Sequence, residues 1–195
     1  MGRTFDPGDV PFAADLNNYL QAWAITVPTS VDNGTDSGSG IVSFSSQTAI
    51  NLNGVFANGY RMYRVVITSS GTASTLALLM RTGSTNSATN YDITRVVGAN
   101  SAMSSTTSLN QASGLLSGGM TNTLIQSVVD IARPYQASPT TMLGTTGVQS
   151  NPGLSNANNG TATVFITHRP STSYESLAVA FSAAQSGTVR VYGYK

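Results

Sequence analysis

The sequence predicts an all-β protein: an antiparallel β-sandwich or jelly roll behind a short N-terminal arm and helix. Three observations carry that expectation. Eight runs show apolar residues at every second position: 41–45, 60–68, 74–81, 91–97, 123–131, 161–167, 176–181 and 187–194. Turn-forming stretches such as "SSGTAS", "TGSTNSATN" and "AAQSG" separate them. Between the runs no stretch carries the spacing of a long amphipathic helix, which leaves sandwich and jelly-roll architectures as the natural homes for so many short strands.

The chain begins differently. Pro7-Gly8 marks a turn and Pro11 suits the first position of a helix. Phe12, Leu16, Tyr19, Leu20 and Trp23 then fall on one helical face, with Asp15 near the positive end of the helix dipole. A helix this short is marginal alone and needs a surface to lie against. Residues 29–40, "TSVDNGTDSGSG", offer almost nothing to bury and read as a linker. The expected organisation is an arm over residues 1–28, a linker over 29–40 and one β domain over 41–195.

Two connections within that domain are long. Residues 98–122 and 133–160 exceed ordinary loop lengths of up to ~15 residues and carry Met103, Leu109, Leu115, Leu116, Met120, Met142 and Leu143. Loops this apolar are expected to be covered by a second subunit. Leu109, Leu115, Leu116, Met120, Met142 and Leu143 are therefore the expected self-association residues.

Composition excludes several classes of function. Charged residues make up 9% of the 195 positions and the net charge is +1, so no basic footprint for nucleic acid or anionic lipid exists. Cysteine is absent, which removes disulfide frameworks and thiolate metal sites. No apolar run approaches the ~20 residues of a membrane helix, and the start lacks a signal-peptide pattern, so cytoplasmic synthesis is expected. Lys195 is the sole lysine, which excludes a phosphate-binding Gly-rich loop of the usual kind.

His168, the sole histidine, sits at a predicted strand end without a second metal ligand or a placed catalytic partner nearby, and reads as a structural or interface residue. Glu175 is the sole glutamate and the aspartates are scattered, which gives no motif for paired-carboxylate chemistry. "TDSGSG" (35–40) differs from a serine-protease nucleophile loop in its glycines and precedes the only histidine. Arg61, Arg64, Arg81, Arg95, Arg133, Arg169 and Arg190 lie in or at the ends of predicted strands and are expected to pair with the few aspartates across strands or between subunits, a sugar- or phosphate-binding face being the alternative. No catalytic residue, cofactor or metal is predicted.

Three stretches carry a family resemblance. "TFDPGDVPFAADLNNYL" (4–20) resembles the opening segment of many tailed-bacteriophage tail fibre, tail spike and minor tail proteins. "YRMYRVVITSS" with "LALLMRTGSTNSATNYDITRV" (60–96), and "SGTVRVYGYK" (186–195), resemble the middle and last strand of small phage sandwich domains. Pro11-Phe12 departs from the family pattern, which more often has a small or hydroxyl residue there. The resemblance implies a non-enzymatic virion structural protein, a surface-exposed homotrimer attached to other virion proteins through its N-terminal arm. Phe5, Phe12, Leu16, Tyr19, Leu20 and Trp23 would form the docking face; the alternative is that the arm folds back and covers one end of its own sandwich. A capsid decoration protein gripping the major capsid protein is the alternative within the virion. A carbohydrate-binding or depolymerising module, with a host-surface glycan as partner, is the alternative outside it.

Overall fold

The computed structural model describes residues 23–71, 74–99, 102–120, 123–149 and 160–195. These residues hold fourteen strands and no helix, and every strand pairing is antiparallel. The strands are β1 (Trp23–Ile25), β2 (Ser30–Asp32), β3 (Thr35–Asp36), β4 (Ile41–Asn53), β5 (Met62–Gly71), β6 (Ser74–Thr82) and β7 (Thr85–Asn86). They continue as β8 (Tyr91–Ala99), β9 (Ala102–Gln111), β10 (Gly114–Met120), β11 (Thr123–Ala132), β12 (Thr140–Gln149), β13 (Gly160–His168) and β14 (Ser176–Tyr194). Seven of the eight predicted runs lie within strands and 60–68 begins two residues before β5; the last two merge into β14.

One path runs through the sheet in the order β10-β6-β14-β5-β11-β12-β13-β8-β9. β14 organises it. Ser176 to Phe181 pair with β6, and Gln185 to Tyr194 pair with β5. Its other edge pairs with β4, then with β1. The register shifts between Ala180 and Gly187, where β14 passes from one neighbour to the next. Gly187 permits the close approach there: a Cβ at this position would lie 2.0 Å from the Thr68 carbonyl oxygen.

Alternation of buried and exposed residues builds much of the interior. In β13, Ala162, Val164 and Ile166 are buried while Thr161, Thr163 and Phe165 are exposed. β10 and β12 lie far apart in strand order yet meet face to face, because inward Gly144 leaves room for Leu116, whose Cδ2 would stand 3.2 Å from a Cβ at 144. The core joins Val42, Ile50, Leu52 and Phe56 to Tyr63, Leu78, Leu116, Ile131, Met142 and Val179.

Three expectations change. The expected loops 98–122 and 133–160 contain β9, β10 and β12. Inward positions of β12 include Thr140, Gly144 and Thr146, so small and polar residues hid its period. Residues 29–40 are not a free tether, since β2 and β3 pair with β4. The Thr29 amide donates to the Asn53 carbonyl at 2.8 Å, and Asp36 Oδ1 accepts from the Gly38 and Gly40 amides at 3.1 Å. The helix expected up to Trp23 meets a strand instead, for Trp23 opens β1; the rest of that segment lies outside the described residues.

Candidate functional site

Trp23 is the first of the described residues and directly follows the segment expected to form the arm. β1 pairs it with Tyr194 at the end of β14, and the two rings lie 5.2 Å apart at 46°. The Arg64 guanidinium stands 4.8 Å from the centre of the indole. Arg64 is in turn held by Asp130 on the neighbouring strand, through Nε to Oδ1 at 2.7 Å and Nη2 to Oδ2 at 2.8 Å. That carboxylate also raises the pKa of the guanidinium, chiefly through these hydrogen bonds. A two-pronged pair of this kind fixes the plane of the guanidinium and so the seat of the indole. Beside Asp130 lies a depression of about 190 Å³ lined by Met62, Ala132, Thr141, Leu143 and Phe165. The remaining docking residues, Phe5, Phe12, Leu16, Tyr19 and Leu20, lie outside the described residues.

The expected self-association residues divide. Leu109 and Leu143 are exposed, at 65% and 54%. Leu115 is partly buried against the core. Leu116 and Met142 belong to the core of the chain itself and have no surface to offer a second copy. Met120 ends β10, and its side chain is outside the described set. The sequence reading missed Val96, Val128 and Phe165, all exposed on strands.

His168 is fully buried, 4.2 Å from the Tyr91 ring and 5.2 Å from the Tyr174 ring. Its Nε2 shares a 2.9 Å hydrogen bond with the Ser87 hydroxyl. Burial pushes its pKa down to about 4, against a smaller opposing effect of the Thr89 backbone. A neutral, enclosed imidazole cannot meet a substrate from solution. Tyr91 accepts the Met80 amide at 2.8 Å, and burial raises its pKa further above the usual value. Glu175 accepts the Gly83 amide. Arg81, also buried, closes the β6–β7 turn by donating to Asn86 Oδ1 and the Ser84 carbonyl at 2.7 and 3.0 Å. Arg64 and Arg169 do pair with aspartates, Arg169 with Asp92 at 3.1 Å. Among the described residues no three His, Asp or Glu side chains gather as a metal site would require.

A shallow groove of about 530 Å³ runs along β4, lined by Asn33, Thr35, Ser43, Ser45 and Gln47 over the largely buried Phe44. No protein-family model, curated protein or solved structure matches the chain.

Proposed function

We propose that this chain is a non-enzymatic structural protein of a bacteriophage particle, of the tail fibre or minor tail kind. Its sheet doubles over as a two-layer sandwich, and the chain attaches to another virion protein through the N-terminal arm. One observation carries the reading: Trp23 packs at a tilt against Tyr194 with the Arg64 guanidinium over its ring, where β1 pairs with the end of β14. An apolar arm thereby leaves the domain from a fixed point rather than from a loose tether. The residues that could do chemistry support it as well, since His168, Glu175 and Arg81 are each engaged in holding the fold.

Phe12, Leu16, Tyr19 and Leu20 then form the attachment face, and Trp23 sets its base. The test is to purify particles made with residues 1–22 deleted, or with Leu16→Asp, and measure how much of the protein they retain. Loss of the protein from particles, with the β domain still folded, is the expected result. Full retention overturns the attachment role. A capsid decoration protein would give the same result, and labelling intact particles separates tail from shell. The groove along β4, lined by hydroxyls and amides, favours a glycan-binding module as a second reading, which a glycan array with the purified chain tests.

A further inference from the structure

We infer that the outer face of the β11-β12-β13-β8-β9 segment is the surface through which two copies of this chain associate. Three cross-strand ladders define it. One runs Val128, Thr145, Thr163, Val96, Ser105; the next runs Asp130, Leu143, Phe165, Thr94, Thr107; the third runs Gln126, Gly147, Thr161, Gly98, Met103. Paired residues in antiparallel strands project to the same side, so each ladder is one row on one face. Of the ten large hydrophobics exposed among the described residues, Val96, Met103, Val128, Leu143 and Phe165 stand on these rows. Leu109 lies two residues beyond Thr107, at the bulge that ends β9.

The apolar residues sit among threonines and glycines, which leaves a surface of short side chains that another sheet can approach. Charges stand at its margin and are mostly closed within the chain: Arg64 holds Asp130, and Arg169 holds Asp92. Arg190 continues the first row two strands away. An apolar centre with a charged rim is the usual anatomy of a protein contact. The occupant follows from charge and size. No net charge on the face calls for an acidic or basic partner, and two such faces brought together oppose no unpaired like charges at their centre. Five strands at ~4.8 Å spacing and some seven residues of length give a face about 24 Å on each side. Two copies packed through it would remove roughly 1,200 Å² from water, at the threshold of a stable interface. This rests on the structural reading but pairs two copies where the resemblance implied a trimer; Leu143 was already expected to self-associate, and Val96, Val128 and Phe165 are added to it.

The test uses the full chain and its oligomeric state by sedimentation velocity. Wild type is expected to self-associate at micromolar concentration. Phe165→Arg and Leu143→Arg should each weaken association by ~tenfold or more, and the double variant should be monomeric. Circular dichroism and the thermal midpoint should stay near wild type, because both side chains are already exposed. Val27→Arg, exposed outside this face, should associate normally. As a second probe, Thr163→Cys in this cysteine-free chain should give a covalent dimer with a bis-maleimide of about 10 Å reach, the separation of facing sheets. A wild-type monomer, or association that survives the double variant, overturns the inference. Neither result touches the attachment role, which fails only if particles keep the protein without residues 1–22.

Discussion

Leu116 occupies the space left by Gly144: its Cδ2 lies where a side chain at 144 would begin, 3.2 Å from an ideal Cβ. The contact joins β10 to β12 across the interior. Leu116→Ala should therefore destabilise the chain by about 2–5 kcal/mol, the range for emptying a closed leucine site. Urea denaturation measures this. The oligomeric state of the folded fraction should not change, because Leu116 is core and not interface.

Gly187 tolerates no side chain where β14 changes neighbours. A methyl group there would meet the Thr68 carbonyl at 2.0 Å and the Ser69 Cα at 2.8 Å. Backbone cannot step aside as a flexible side chain can. Gly187→Ala should cost about 3 kcal/mol or more, whereas Gly147→Ala should cost less because its Cβ meets open space and its backbone is ordinary extended strand. Parallel thermal melts compare the two.

His168 gives stability a dependence on pH. Its folded pKa is depressed to about 4 while the unfolded chain titrates near 6.5. Between these values the unfolded state binds the proton more readily. The contribution is full above pH ~6.5, falls as pH drops toward 4, and stops changing below that, for a loss of up to about 3 kcal/mol. His168→Gln should remove this slope. The difference between wild type and variant isolates it from the carboxylates that titrate in the same range.

Trp23 is the only tryptophan and reports on its own seat. Arg64→Ala removes the cation beneath the ring and leaves Asp130 unpaired. Emission should shift to the red as the indole gains water, with a loss of about 1 kcal/mol or less. Unchanged emission would mean that Tyr194 alone holds the ring.

The eight apolar-alternating runs were legible because their inward residues are large: Val65 and Ile67 in β5, Val164 and Ile166 in β13. β9, β10 and β12 were not, since glycine, serine and threonine fill many of their positions. β2 and β3 were hidden for another reason. Their hold on β4 comes from backbone pairing and the Asp36 turn, which leave little trace in hydropathy. The exposed face did leave a signal that a search for alternation passes over. Phe165 stands in the polar phase of β13, with Thr161 and Thr163, and Leu143 stands likewise between Thr141 and Thr145. A large apolar residue out of step with its strand marks the side that faces outward.

β14 supplies the edge shared by β4, β5, β6 and β1, although it is the last strand of the domain in sequence. During translation the earlier strands therefore emerge without their common neighbour. β5 and β6 can only wait, with their edges open, until residues 176–194 leave the ribosome. The domain must then close through pairings of great sequence separation, such as Trp23 with Tyr194, which predicts slow folding. A ribosome that stops before Ser176 would release a chain of unpaired strand edges, and such a chain depends on holding factors to stay out of aggregates.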